Sequence, residues 1–204
     1  MMYKAKDYIY YQQLREKVSQ KVTLSNSQWH RLASIFKLQI FRDRDTIVLP
    51  GDSIHEIYFT CKGLLRVYYI SEEGKETNKA FIVENQFATP LAASALELPL
   101  IYGVETLEES ILLVAQYRDF IQLFDEDPIF DRIGRYLAET LLIRKELRMR
   151  SLLQQTAKDR YIDFICQHPQ LASRIPQYHI ASYLGITEVS LSRLRRTLPT
   201  PAPS

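Results

Sequence analysis

The sequence predicts an α+β chain in which an antiparallel β-roll is followed by a long helix and a C-terminal helix-turn-helix. Three observations support this order. Short strand-like segments separated by turns fill residues 40–118. No proline interrupts residues 129–155, which allows one long helix. Two short amphipathic segments lie on either side of Gly185. The expected domains are residues 1–126 with N-terminal helices and the roll, 127–155 with the long helix, and 156–204 with the helix-turn-helix.

The segment "SNSQWHRLASIF", residues 25–36, has the pattern of a capped helix ahead of the roll. One of Ser25, Asn26 and Ser27 is the expected N-cap, because these side chains can accept a hydrogen bond from the first turn. Four apolar residues follow at helical spacing and predict its buried face: Trp29, Leu32, Ala33 and Phe36.

Turn signals alternate with apolar runs in the predicted roll. The strand in "DTIVLPGDS" ends at Pro50-Gly51, and "EEGKE" joins two strand-like runs as a hairpin. Glycines 51, 63 and 74 recur twelve and eleven residues apart, a spacing typical of an antiparallel roll or barrel of short strands.

The long helix is expected to begin at Asp127-Pro128, since proline is favoured in the first turn of a helix. Its N-terminal half carries an apolar seam. We favour pairing of this seam with a second copy of the chain, and burial against the roll is the alternative. The candidate dimer interface consists of Phe130, Ile133, Leu137, Leu141, Arg144 and Leu147.

Residues 177–196 have the spacing of a helix-turn-helix. Ala181 lies four residues before Gly185, and Leu191 follows six residues after it. The small residue allows close helix approach, and the glycine allows a left-handed turn between the helices. A plain helical hairpin would not need the serines and arginines that cluster on and beside the outward face, so the pattern favours DNA binding.

The second helix of this pair would enter the major groove with its N-terminus first. Arg193 is the best candidate for reading a base, because its guanidinium matches guanine O6 and N7. Thr187 and Ser190 can bond phosphate near the helix start, and Arg195 and Arg196 hold backbone phosphates. The candidate DNA-binding residues are Thr187, Glu188, Val189, Ser190, Ser192, Arg193, Arg195 and Arg196.

The charge distribution supports an anionic partner at the C-terminal end. Residues 1–131 carry 14 Lys and Arg against 19 Asp and Glu, whereas residues 132–204 carry 12 against 5. These net charges of −5 and +7 give the overall +2. The longest apolar runs are too short to span a membrane and no signal peptide is evident, so we expect a cytoplasmic protein with no membrane partner.

The order of roll, long helix and helix-turn-helix resembles that of the cyclic-AMP receptor protein / fumarate–nitrate reduction regulator (Crp/Fnr) family. "LPGDSIHEIYFTCKGLLRVYYISEEGKE" looks like the roll of that family, a cyclic nucleotide-binding-like jelly roll. "TAKDRYIDFI" and "HIASYLGITEVSLSRLRR" are similar to short members common in Bacteroidetes-type bacteria. The resemblance covers residues 25–198. It implies a homodimeric transcription regulator with a winged-helix-like C-terminal domain on pseudo-palindromic double-stranded DNA, and RNA polymerase as a further candidate partner.

Two features depart from the family pattern. Many members carry an acidic residue second in the recognition helix, where this chain has Val189. An apolar side chain there suits a thymine methyl group, so the DNA site is expected to differ. The chain also has "LPTPAPS" soon after the recognition helix, which predicts a shortened or absent wing.

The nucleotide-binding members of the family hold cyclic AMP with a Gly-Glu pair and, about ten residues on, an Arg-Ser pair. This chain has Thr89 and Pro90, then Leu100 and Ile101, at those positions, and Lys145 and Glu146 replace the hydroxyls that contact adenine. A buried phosphate without these partners is costly, so cyclic AMP is not the expected effector. Thr89, Pro90, Leu100 and Ile101 either pack as core, which we favour, or form a candidate pocket for a less polar, unknown effector.

We expect no cofactor. The two cysteines, Cys61 and Cys166, are too few for an iron–sulfur cluster and are expected to be buried thiols. The four scattered histidines give no haem or metal motif. No catalytic constellation stands out, and the acidic pairs Glu72-Glu73 and Glu108-Glu109 look like exposed turn charges. We therefore expect a transcription regulator and not an enzyme. The alternative is an effector-binding module whose C-terminal helices contact protein.

Overall fold

The computed structural model describes residues 7–197, beginning with helices α1 (Tyr8–Ser19) and α2 (Asn26–Ser34). Ser25 is the N-cap of α2. Its hydroxyl accepts a hydrogen bond from the Gln28 N–H at 3.2 Å, and the Gln28 side chain accepts one from the Ser25 N–H at 2.9 Å. This reciprocal capping satisfies N–H groups that the start of a helix leaves free. The predicted apolar face is buried: Trp29, Leu32, Ala33 and Phe36.

Two four-stranded antiparallel sheets form the roll. One has the order β1-β8-β3-β6 and the other β2-β7-β4-β5. The "EEGKE" hairpin predicted from the sequence joins β4 to β5. A short helix, α3, follows β6. The strands are β1 (Lys37–Phe41), β2 (Thr46–Val48), β3 (Glu56–Lys62), β4 (Leu65–Ile70), β5 (Glu76–Ile82), β6 (Phe87–Ala88), β7 (Gly103–Thr106) and β8 (Ser110–Gln116), and α3 is Leu91–Ala95.

Strand β8 is buried on both faces, which explains its unbroken apolar run. Leu112 and Val114 face the inner core between the two sheets. Ile111, Leu113 and Ala115 point the other way, into a core shared with the helices outside the roll. A strand covered on one face alone would alternate apolar and polar residues, whereas a strand covered on both faces need not.

Helix α4 (Tyr117–Glu126) leads into the long helix α5 (Ile129–Gln154), whose start agrees with the prediction. The carboxylate of Asp127 accepts a hydrogen bond from the Ile129 N–H at 2.9 Å, so it caps a free donor of the first turn. Pro128 needs no such partner because it has no N–H.

The burial of α5 contradicts part of the predicted dimer interface. Phe130, Ile133 and Leu137 are buried in the core of their own protomer, against α4 and the outer face of the roll. They cannot also contact a second copy. The N-terminal half of the seam is therefore buried against the roll, which was the alternative interpretation. Leu141 is half-buried, whereas Arg144 and Leu147 are exposed.

Four further helices follow: α6 (Ala157–Gln167), α7 (Leu171–Arg174), α8 (Gln177–Leu184) and α9 (Glu188–Thr197). Thr156 caps α6 by accepting from the Asp159 N–H at 3.2 Å. These helices share one hydrophobic core with the roll, in which the fully buried Leu64 and the half-buried Phe81 meet Phe164. The predicted shortening of the wing at "LPTPAPS" concerns residues outside the described part of the chain.

The cysteines differ in environment. Cys61 is buried, and burial raises the pKa of its thiol to about 12, as expected for a buried thiol. Cys166 is exposed, so the prediction that it is buried is wrong. Within residues 7–197, no helix is both long and apolar enough to cross a membrane.

Candidate nucleic-acid interface

A tight turn at Gly185 joins α8 to α9. Gly185 has φ of +69° and ψ of +36°, the left-handed conformation predicted for this position. The Ile186 N–H donates to the Ala181 carbonyl at 3.0 Å, which closes the end of α8. Thr187 then caps α9, since its hydroxyl accepts from the Ser190 N–H at 3.2 Å.

The two helices pack through the residues that the sequence predicted. Ile180, Ala181 and Leu184 of α8 are buried together with Leu191 of α9. Because Ala181 is small, α9 can approach α8 closely while its opposite face stays free.

The outward face of α9 carries the candidate DNA-binding residues. Val189 is 62% exposed. Ser190 and Ser192 are half-buried, and the hydroxyls of Thr187 and Ser190 lie 2.9 Å apart. The remaining residues of the set are exposed: Thr187, Glu188, Arg193, Arg195 and Arg196.

The arginines of α9 are not neutralised within the described chain. In residues 7–197, no carboxylate forms an ion pair with Arg193, Arg195 or Arg196. Unpaired guanidinium groups along one exposed face can contact a polyanion without first breaking an internal ion pair.

Polar contacts that the sequence did not predict hold α8 against strand β5. The Asn78 side-chain amide donates to the His179 carbonyl at 3.0 Å and lies 3.1 Å from His179 Nδ1. The Asn78 N–H donates to the Ser182 hydroxyl at 2.9 Å. The buried amide therefore has partners on α8 that fix this helix relative to the roll.

A buried arginine lies behind this contact. The Arg66 side chain is 6% exposed and forms ion pairs with Glu76 at 2.6 Å and Glu105 at 2.5 Å. Its guanidinium carbon lies 4.0 Å from the centroid of the Tyr68 ring, and its Nη1 is 3.5 Å from Asn78 Oδ1. The charged cluster thus supports the asparagine that contacts α8.

A second ion-pair cluster joins α7 to the roll. Arg174 donates to Glu84 at 2.8 Å and to Glu108 at 2.6 Å. Burial alone would raise the pKa of Glu84, but hydrogen bonds from Arg174 and from backbone N–H groups outweigh it and lower that pKa. Glu108 is therefore an anchor for the C-terminal helices, and its interpretation as an exposed turn charge is wrong.

His179 is held neutral in this interface. Burial, with a smaller contribution from the positive charge of Arg66, lowers the pKa of its imidazole to about 4. The ring can accept a hydrogen bond from the Asn78 amide in its neutral form.

We expect the free energy of unfolding to fall as the pH is lowered from about 6.5 to about 4. In that window the unfolded chain binds a proton on His179 and the folded chain does not, so acid favours unfolding. The pKa difference corresponds to at most about 3 kcal/mol. Urea unfolding of wild type and His179→Gln across this window measures the slope. The variant should be less pH-dependent, and the exposed His30→Gln should match wild type. If the free energy of unfolding of His179→Gln depended on pH as steeply as that of wild type, the pH dependence could not be assigned to His179.

The four residues of the predicted effector pocket do not face one common space. Leu100 is 2% exposed and lies in the inner core of the roll, as the core alternative holds, whereas Ile101 is 72% exposed and faces solvent. Pro90 is buried. Thr89 is half-buried, and its hydroxyl is buried without a hydrogen-bond partner. Thr89 is thus the member of the set that lines a cavity, next to α5.

Metal-ligating side chains are dispersed in this chain. In the part that the structure describes, no three His, Cys, Asp or Glu side chains are grouped so that they could hold a metal ion.

The roll matches a known domain family. Residues 38–127 match the family model of the cyclic nucleotide-binding domain. A search of curated proteins gives no match for this sequence.

Solved structures share the fold at low sequence identity. FixK2 from Bradyrhizobium japonicum aligns with a TM-score of 0.70 and 18% identity over 80% of this chain and 84% of its own. The c-di-GMP-responsive global regulator CLP of Xanthomonas campestris aligns with a TM-score of 0.65 and 16% identity, over 82% of this chain and 88% of its own. A protein from Eubacterium rectale is described as a transcriptional regulator of the Crp/Fnr family. It aligns with a TM-score of 0.67 and 15% identity, over 85% of this chain and 83% of its own. The likeness establishes the fold, in agreement with the resemblance found in the sequence.

Proposed function

Since residues 38–127 form a cyclic nucleotide-binding-type domain within the fold of Crp/Fnr regulators, we propose that this chain is a homodimeric DNA-binding transcription regulator. One observation carries the proposal. Helix α9 is supported from below by a buried contact at Leu191 and presents unpaired arginines on its free face. This is the arrangement that a recognition helix needs in the major groove.

Each of the eight candidate residues then has a role in DNA recognition. Arg193 donates two hydrogen bonds to the O6 and N7 atoms of a guanine. Val189 contacts a thymine methyl group, in place of an acidic residue that would accept from cytosine. Thr187 and Ser190 bond phosphate beside the free N–H groups of the α9 N-terminus. Glu188 and Ser192 border the same face, and Arg195 and Arg196 bind backbone phosphates.

The C-terminal half of α5 supplies the dimer contact. Leu142, Met149 and Leu153 are 59%, 51% and 78% exposed, and their spacings of seven and four residues place them on one stripe. Two copies that pair along this stripe bury three apolar side chains each and place two recognition helices on one pseudo-palindromic site.

The proposed regulator does not respond to cyclic AMP. Leu100 and Ile101 stand where the nucleotide-binding members have an arginine and a serine, and neither side chain can donate a hydrogen bond to phosphate. The Leu100 side chain also packs in the inner core of the roll. The C-terminal helices are therefore proposed to bind DNA without this nucleotide.

The test is in vitro selection of bound fragments from the source genome with no ligand added, followed by fluorescence anisotropy on the best fragment across a salt series. We expect a palindromic motif. Arg193→Ala should weaken binding to it by about 10-fold or more, since a bidentate arginine–guanine contact contributes about 1–3 kcal/mol. Arg196→Ala should weaken all sequences alike and reduce the salt slope by about 1. Addition of cyclic AMP should change neither the affinity of wild type for the motif nor its salt slope.

The matched control is Arg118→Ala, which removes an exposed arginine of α4. It should leave affinity and salt slope at the wild-type values. Failure to enrich any motif, with Arg193→Ala indistinguishable from Arg118→Ala on the same fragments, would exclude the DNA-reading role of α9. It would favour the alternative of an effector-binding module with protein partners.

A further inference from the structure

A groove runs between the C-terminal end of α1 and the middle of α5, outside the roll. Its larger part has a volume of about 310 Å³, at the lower end of the range for ligand pockets. A smaller part of about 50 Å³ continues it toward β6. Tyr136 and Thr140 line both parts, so the two form one continuous feature.

The groove is electropositive. Lys21, Arg132 and Arg135 line the larger part, and Lys17 and Arg144 line the smaller part. Glu139 is the acidic side chain among the lining residues of the two parts, and it lies 3.6 Å from Arg135. The other four cations form no ion pair within residues 7–197. Cations collected around a concave surface attract a compact anion more strongly than the same charges on a flat face.

The groove also has groups that suit the body of a ligand. Lys21 Nζ lies 6.0 Å from the centroid of the Tyr136 ring, so a planar group attached to an anion at Lys21 would lie within reach of that ring. The Thr89 hydroxyl is buried at the smaller end without a hydrogen-bond partner. A buried hydroxyl without a partner is costly, and a polar ligand group would relieve that cost.

The groove adjoins the proposed dimer stripe. Arg135 and Glu139 line the larger part of the groove and lie seven and three residues before Leu142, so they project from nearby sides of α5. Tyr136 lies about one third of a turn away from Leu142, which leaves the Tyr136 side of the groove outside the stripe.

We propose that this groove binds a small phosphorylated molecule with a planar ring. Lys21 and Arg132 bind its phosphate, Tyr136 packs against its ring, and the Thr89 hydroxyl bonds a polar group at its far end. The site lies on α1 and α5 and includes Thr89, one of the four positions of the predicted effector pocket. Neither Leu100 nor Ile101 lines it, and its recognition chemistry does not depend on DNA binding.

Isothermal titration calorimetry on the full chain at low salt tests this site, with phenyl phosphate as the probe and phenol as its uncharged counterpart. We expect saturable binding of phenyl phosphate and at least about 10-fold weaker binding of phenol, because charge-assisted hydrogen bonds to phosphate are the strong contacts here. The double variant Lys21→Ala/Arg132→Ala should weaken phenyl phosphate by about 10-fold or more. Both residues are exposed, so circular dichroism should show an unchanged fold.

A charge-matched control removes two cations elsewhere, in Arg118→Ala/Lys158→Ala, and should bind phenyl phosphate like wild type. Two outcomes would overturn the proposal. One is the absence of saturable binding to wild type at millimolar phenyl phosphate. The other is equal binding by the groove variant and the control. If carboxylates of a second copy fill the groove instead, phenyl phosphate will not bind and the groove variant will weaken dimerisation in analytical ultracentrifugation.

Discussion

We expect Arg66→Met to lower the free energy of unfolding by about 3–5 kcal/mol, the usual loss when one partner of a buried ion pair is removed. Methionine fills much of the same volume but leaves the carboxylate of Glu105, 17% exposed, without its cation. The loss also reaches α8, because Asn78 loses a neighbour that orients its side chain. Urea denaturation at neutral pH measures the change in stability.

The control for burial is Arg31→Met. Arg31 binds Glu126 through two hydrogen bonds, but the two side chains are 45% and 40% exposed. Water replaces the lost partner there, so the loss should be much smaller than for Arg66. Equal losses in the two variants would show that burial does not set the contribution of Arg66.

Gly63→Ala should destabilise the chain by about 3 kcal/mol or more, since strain at positive φ and overpacking add at this position. Gly63 has φ of +104°, and a Cβ atom there would lie 2.7 Å from Ser110 Cα. That contact is with the backbone of β8, which is paired on both sides and cannot shift freely. Thermal and urea unfolding both measure the loss.

Gly51→Ala separates the two causes. Gly51 has a similar φ of +97°, but a Cβ atom there meets nothing within 4 Å. It should therefore lose only the conformational part, about 1–2 kcal/mol. If Gly63→Ala were no worse than Gly51→Ala, the close approach to β8 would not matter to stability.

The sequence predicted the features that depend on neighbouring residues. A cap at one of residues 25–27, the hairpin at "EEGKE" and the left-handed turn at Gly185 each follow from a few adjacent side chains. The structure contains all three, with Ser25 as the cap. The packing of α8 against α9 could also be predicted from the sequence, because Ala181 and Leu191 lie close in sequence on the facing sides of the two helices.

Features that depend on distant residues were not predictable in the same way. An apolar stripe on α5 shows that one face is covered but not by what, so Phe130 was assigned to a partner although its own protomer covers it. Asn78 and His179 are 101 positions apart, and Arg174 and Glu108 are 66 apart. Nothing local marks such pairs, since each residue alone is compatible with an exposed position.

The core shared by Leu64, Phe81 and the C-terminal helices has a consequence for how this protein can be divided. Residues 156–204 do not constitute a transplantable domain, because removal from the roll would uncover Phe164 and Tyr183, which pack against Phe81 with ring centroids 6.3 and 5.2 Å away. A chimera that tests the proposed DNA specificity should therefore replace the outward residues of α9 and retain α8 with the β4–β5 hairpin beneath it. In evolutionary terms, the proposed regulator would change its operator through surface substitutions far more readily than through recombination between α5 and α6.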